Sequence, residues 1–121
     1  MITVKLRNNP NDLVEVRITV ETEGNVRWSY KYESEERKKI TGASDRANTG
    51  PNALGRVHEL KDDINGWEFI LVNLDEEDAG YSIIIEWIQD GETVQEAWRK
   101  EGKLKKDKPV FLRETALLYY N

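Results

Sequence analysis

The sequence predicts an all-β protein: a two-sheet antiparallel β-sandwich of about eight strands, Greek-key or jelly-roll-like in arrangement. Three observations support this fold class. Apolar and polar residues alternate along most of the chain, turn signals recur at roughly 8–12-residue intervals, and helical periodicity is scarce. The length of 121 residues suits one domain, so we expect a single β-sandwich domain over residues 1–121.

Strand patterns are clear in the N-terminal part of the chain. Residues 1–7 alternate apolar and charged side chains, and residues 12–22 place aliphatic side chains on one face. After the turn signal at residues 23–25, the apolar face of the next strand carries Val26, Trp28, Tyr30 and Tyr32. We expect Trp28 to fill the core, and we expect the hydroxyls of Tyr30 and Tyr32 to suit a more exposed rim.

Residues 41–55 show no apolar periodicity and predict a long loop. Loops of this length are either mobile crossovers or functional segments. A crossover between sheets is the plainer interpretation. A binding loop is the sharper one, because three glycines permit close backbone approach while Arg46 and Arg56 offer positive charge to an anion. No Gly-Lys-Ser/Thr sequence ends the loop, so it does not fit a phosphate-binding template.

The C-terminal part contains further strand segments at residues 67–72, 81–89, 92–99, 110–112 and 115–120. Asn65-Gly66 predicts a turn before the first of them, and Asp90-Gly91 predicts a hairpin between the second and third. Residues 94–100 are also acceptable helix formers, but the Asp-Gly turn before them favours a strand.

The segment Leu-Asp-Glu-Glu-Asp-Ala-Gly-Tyr at residues 74–81 resembles the immunoglobulin-type stretch before strand F, which carries the tyrosine corner. In that resemblance Trp28 takes the place of the strand-C tryptophan. Tyr81 follows Gly80 directly, without the family's intervening residue, and the two cysteines are missing. The resemblance implies a Greek-key sandwich and no particular function.

Composition argues against most enzyme chemistry. The chain has no cysteine, which excludes disulfides, thiol nucleophiles and cysteine–zinc sites. His58 is the only histidine, no Gly-x-Ser-x-Gly elbow accompanies it, and we expect it to be an ordinary strand residue. Glu68 and Glu86 could in principle pair for glycoside hydrolysis, but their alternation with apolar neighbours predicts solvated positions. We therefore expect no enzyme.

The net charge of −5 conceals a segregation. Residues 62–98 contain no lysine or arginine, whereas residues 99–108 carry six basic side chains. Acidic loops facing the basic turn across the fold would explain this pattern, and so would a cationic partner or a metal ion. The lysines are expected to protect an edge strand. The acidic balance predicts no dedicated nucleic-acid binding.

A calcium site is the specific form of the metal hypothesis. Two acidic groups flank the strand at residues 67–72, and we expect their loops to converge at one end of the sandwich. The expected ligands are Asp62, Asp63, Asp75, Glu76 and Asp78.

These patterns favour a non-catalytic binding module that recognises a protein partner or a carbohydrate-like ligand. The expected ligand-binding residues are Tyr30, Tyr32, Arg46, Arg56 and Trp98. A structural or assembly subunit, such as a β-sandwich of a phage or secretion apparatus, is the first alternative, and a small hydrolase using acidic residues is the second. No targeting segment or membrane span is visible, so we expect a soluble protein, cytoplasmic if the chain is complete. Oligomeric state and compartment stay open.

Overall fold

The computed structural model describes residues 1–35 and 38–121, including every side chain among them except those of residues 95 and 96. These residues form nine strands and one short 3₁₀ turn, Val57–Glu59. The strands are β1 (Ile2–Lys5), β2 (Leu13–Thr22), β3 (Val26–Ser34), β4 (Lys39–Ala43), β5 (Asn52–Arg56), β6 (Asp63–Asn73), β7 (Ala79–Gln89), β8 (Glu92–Leu104) and β9 (Val110–Tyr119). No helix within these residues is long and apolar enough to cross a membrane.

The strands form two packed sheets, which confirms the predicted all-β sandwich. The five-stranded sheet has the order β1-β9-β6-β3-β4, and the four-stranded sheet has the order β5-β2-β7-β8. All neighbouring strands are antiparallel except β1 and β9, which run parallel. The first strand can run parallel to the last because the chain leaves β1 for the opposite sheet and no hairpin joins the two.

Side-chain alternation places one face of each sheet in a shared core. Its largest fully buried side chains are Trp67, Trp87, Tyr32 and Phe69. Trp98, on edge strand β8, reaches across the sandwich to β6, where its ring centroid lies 5.5 Å from that of Trp67. Aromatic packing therefore joins the two sheets near their middle.

One of two predicted turns is present in the structure and the other is not. Asp90 and Gly91 both have positive φ and close the β7–β8 hairpin as expected. The expected turn at Asn65-Gly66 is wrong, because both residues lie inside β6 and pair with β3 and β9. The Asn65 side chain is fully buried and hydrogen-bonded there, so tertiary pairing overrides the local turn preference.

The predicted 15-residue loop is also shorter than expected. Residues 39–43 form β4 and residues 52–56 form β5, so only residues 44–51 connect the two sheets. These short strands carry little apolar alternation, since each lies at a sheet edge. His58 belongs to the 3₁₀ turn and is exposed, which corrects its expected place on a strand.

The immunoglobulin-like features do not assemble as the resemblance implies. Tyr81 lies on β7 in the four-stranded sheet, with its ring against Gly102 of β8. Its hydroxyl makes no hydrogen bond within the described part of the chain, so no tyrosine corner is formed there. Trp28 lies on the five-stranded sheet and is only partly buried.

Candidate functional site

The two tyrosines expected at a binding rim lie in the core. Tyr32 has no solvent exposure and Tyr30 retains 5%. Trp28, expected to be the most buried of the three, packs at the periphery with its ring stacked 6.1 Å from that of Tyr30. The expectation is inverted because β4 ends at Ala43, so the 44–51 connection and not a strand lies beside Trp28, where the Ser44 N–H donates to the Trp28 carbonyl at 2.8 Å.

Tyr32 anchors a buried hydrogen-bond chain between the sheets. Its hydroxyl accepts a hydrogen bond from Trp87 Nε1 at 3.0 Å and donates one to Asn65 Oδ1 at 2.6 Å. Asn65 Nδ2 in turn donates to Asp63 Oδ2 at 3.1 Å. Burial raises the pKa of the Tyr32 hydroxyl well above its usual range. This residue therefore holds the fold together and presents no ring face to a ligand.

The remaining expected ligand residues lie on separate elements. Trp98 is partly buried in the aromatic core, and Arg56 is exposed with its guanidinium donating to the Asn11 carbonyl at 2.6 Å. Arg46 is exposed on the 44–51 connection, where it lines a shallow depression of about 480 Å³ that Tyr30 also lines. The structure thus brings together Tyr30 and Arg46, but not the set as a whole.

The acidic residues expected to bind calcium do not converge. Asp62 and Asp63 stand at the beginning of β6, whereas the acidic group at residues 75–78 follows its end. An 11-residue strand separates them, a length of roughly 35 Å. The expectation that both loops meet at one end is therefore wrong. Among the described residues, no three histidine or acidic side chains are grouped closely enough to hold a metal ion.

Two of these acidic side chains bind the protein itself. Asp75 Oδ2 accepts a hydrogen bond from the Asn25 backbone N–H at 2.7 Å. Glu76 forms an ion pair with Lys106. Asn73 is buried beneath them and donates to the carbonyls of Glu77 and Leu104 at 2.8 and 3.0 Å. The acidic loop and the basic turn thus meet through Lys106 at one end of the sandwich, which agrees with the internal explanation of the charge segregation for this one lysine.

The two carboxylates considered for hydrolysis are also separated. Glu68 lies on the outer face of the five-stranded sheet, where it pairs with Arg113 at 2.7 Å. Glu86 lies on β7 in the other sheet and faces outward, opposite Arg17 and Ala97. The core of the sandwich lies between them, so the two cannot act on one glycosidic bond.

The outer face of the five-stranded sheet carries an apolar pair that sequence reasoning missed. Phe111 is 70% exposed and lies directly opposite Ile70, which is 42% exposed. A local signal was available in the runs Phe69-Ile70-Leu71 and Val110-Phe111-Leu112. Since successive strand residues point to opposite faces, three consecutive apolar residues cannot all enter one core.

The strand registers order this outer face into rows. Ser29, Ile70 and Phe111 share one row, and the next consists of Lys31, Glu68 and Arg113. Gly66 occupies the row beyond, where a shallow groove of about 360 Å³ crosses the sheet. We call the outer side of this sheet, centred on Phe111 and Ile70, the Phe111 face.

The chain matches no protein-family model, and neither a curated protein nor a solved structure is significantly similar to it.

Proposed function

We propose that this protein is a non-catalytic binding module that recognises a protein partner through the Phe111 face. The observation that carries the proposal is the exposure of Phe111, the most exposed of the large apolar side chains in the described chain. Phe111 lies on β9 in a five-stranded sheet, so its position is fixed by the backbone pairing of β9 with β6. A preorganised aromatic side chain is a typical anchor of a protein interface.

The surroundings of the anchor also suit a protein interface. Ile70 lies beside Phe111, and the Arg113–Glu68 pair borders them in the adjacent row. An apolar centre with a polar, charged rim is the usual anatomy of such interfaces. Protein partners typically cover about 800 Å² on each side, which is comparable with the outer surface of a five-stranded sheet. Protein is favoured over carbohydrate because neither Tyr30 nor Tyr32 exposes a ring face.

The proposal is tested by placing a photo-crosslinking phenylalanine analogue at position 111 and, as a control, at position 13. Leu13 is 36% exposed and lies on the outer side of β2 in the four-stranded sheet, away from the Phe111 face. In cells that make the protein, we expect position 111 to capture one partner protein that position 13 does not. Equal capture at both positions, or none at position 111, would contradict the proposal.

The captured partner is then purified and titrated against wild type, Phe111→Thr and Leu13→Thr. Both positions lie on strands and threonine preserves strand propensity, so neither variant is expected to lose the fold. We expect Phe111→Thr to weaken binding by about 30-fold or more, as for a central anchor residue, and Leu13→Thr to leave it almost unchanged. Similar affinities for both variants would overturn the proposal. Glycan-array binding that depends on Phe111 would replace the protein partner by a carbohydrate.

A further inference from the structure

The Phe111 face has a charge opposite in sign to that of the whole protein. The strand registers place five basic and two acidic side chains on it: Lys5, Arg27, Lys31, Lys39, Arg113, Glu33 and Glu68. A third acidic side chain, Glu35, follows β3 opposite Ile64 and lines the groove on this face. The face therefore carries a formal charge of +2 in a chain of −5, which leaves −7 for the rest. A face whose charge differs in sign from that of the whole molecule favours partners of the opposite charge at that face.

The basic groups border the apolar pair on both sides along the strands. Arg113 lies two residues from Phe111 on β9, and Arg27 pairs in register with Val72, two residues from Ile70 on β6. Arg113 is engaged with Glu68 at 2.7 Å. Arg27 is exposed and makes no ion pair with any residue that the structure describes, so its guanidinium is free to meet a carboxylate.

We propose that the Phe111 face binds an acidic protein surface: an apolar centre that covers Phe111 and Ile70, with carboxylates that reach Arg27 and Arg113. This inference rests on the proposed function and names the chemistry of its partner. The apolar pair provides the contact area, and the basic rim accelerates association and disfavours basic partners.

Two other occupants fit the face less well. A second copy related by a two-fold axis would present the same patch, and would therefore set a charge of +2 against +2. A single-stranded nucleic acid would meet the carboxylates of Glu33 and Glu68. Such ligands usually stack on several aromatic rings, whereas Phe111 is the one aromatic side chain among the large apolar residues exposed in the described chain.

The experiment selects binders from a phage-displayed library of random 16-residue peptides. The baits are wild type, Phe111→Thr, Arg27→Glu and Arg99→Glu. Arg99 is an exposed arginine that faces outward on β8 of the other sheet, so its variant makes the same charge change elsewhere. On wild type we expect enrichment of Asp and Glu next to large apolar residues. A selected peptide should bind Arg27→Glu roughly tenfold more weakly at low salt, and Arg99→Glu like wild type.

The outcomes separate this inference from the function on which it rests. Peptides that depend on Phe111 but show no acidic enrichment would overturn the acidic partner and leave the binding module standing. Peptides indifferent to Phe111→Thr would overturn both. Two further measurements test the rival occupants, namely light scattering of the purified protein and titration with a 20-nucleotide oligo-dT. A dimer lost in Phe111→Thr, or oligo-dT binding lost in Arg27→Glu, would replace the acidic protein by that occupant.

Discussion

Single residues in this protein acquire their roles from the face on which they lie. Tyr32 and Phe111 are both aromatic strand residues. Tyr32 has charged neighbours in the sequence and is fully buried, whereas Phe111 has apolar neighbours and is 70% exposed. The difference is the face, because Tyr32 points into the core and Phe111 points away from it. In the core, the Tyr32 hydroxyl links Trp87 to Asn65. A buried hydroxyl that both donates and accepts leaves two unpaired groups when it is removed.

Replacement of Tyr32 by phenylalanine should therefore destabilise the fold. We expect a loss of about 1–3 kcal/mol in the free energy of unfolding, because Trp87 Nε1 and Asn65 Oδ1 would stay buried without their partner. Urea denaturation followed by tryptophan fluorescence measures this loss. Tyr30→Phe is the matched control, since the Tyr30 hydroxyl is buried with no hydrogen-bond partner in the described residues. Equal losses in both variants would show that the hydrogen-bond chain is not responsible.

At the scale of elements, the edge strand β4 depends on close packing against its neighbour. Gly42 lies on the core side of β4, and the Tyr30 ring occupies the space that a side chain at Gly42 would need. A glycine covered by an aromatic ring on the neighbouring strand is a recognised device at sheet edges.

The substitution Gly42→Ala tests this contact. The added methyl group would overlap the Tyr30 ring, so we expect a destabilisation of about 1–3 kcal/mol. Gly50→Ala is the control, because nothing lies within 4 Å of the added carbon there. It should change stability by less than about 0.5 kcal/mol in the same denaturation experiment. If Gly42→Ala left the free energy of unfolding unchanged, the Tyr30 ring and β4 would have to move apart without an energetic cost.

The long edge strand of the four-stranded sheet, β8, carries a charge on its core side. Lys100 pairs in register with the buried Ile83, so its side chain stands on the inner face while its exposed end reaches solvent. An inward-pointing lysine on an edge strand hinders pairing with a second sheet. This placement agrees with the predicted protective role of the basic segment at residues 99–108.

We expect Lys100→Ile to make the protein self-associate, since it removes that charge and extends the apolar side of β8. Size-exclusion chromatography with light scattering across a concentration series should report a higher mass than for the wild type. Lys103→Ile, on the outer face of the same strand, removes an equal charge and should leave the mass unchanged. Indistinguishable masses for all three proteins would refute the protective role of Lys100.

At the scale of the whole molecule, the burial of two tyrosines should make the free energy of unfolding fall at alkaline pH. Burial raises the pKa of Tyr32 and that of Tyr30, so the folded state keeps protons that the unfolded state releases near pH 10. Their stabilising contribution is complete below that pH and is lost as the pH rises above it.

The free energy of unfolding should accordingly fall above pH 10, by about 1.4 kcal/mol per pH unit for each tyrosine that stays protonated. Urea denaturation between pH 8 and pH 11.5 measures the slope, and Tyr30→Phe should make it shallower. Absorbance at 295 nm provides an independent check. If all five tyrosines ionised near pH 10 in the folded protein, the prediction would fail.

Most of the secondary structure follows from local pattern. Alternation alone locates β2, β3 and β7, and the Asp90-Gly91 turn locates the β7–β8 hairpin. Period-two patterns and turn conformations are properties of neighbouring residues, so the sequence by itself determined a two-sheet β-sandwich and most of its strands. Edge strands β4 and β5 escape this reasoning because short strands at an edge need little apolar alternation.

The candidate site was decided by the tertiary structure. Strand order and register place Phe111 opposite Ile70 on an outer face, bury Tyr30 and Tyr32, and separate the two acidic groups by the length of β6. The same registers gather basic residues from four strands onto one face of an acidic protein. These juxtapositions join residues far apart in the chain, and a one-residue shift in register would send each side chain to the opposite face.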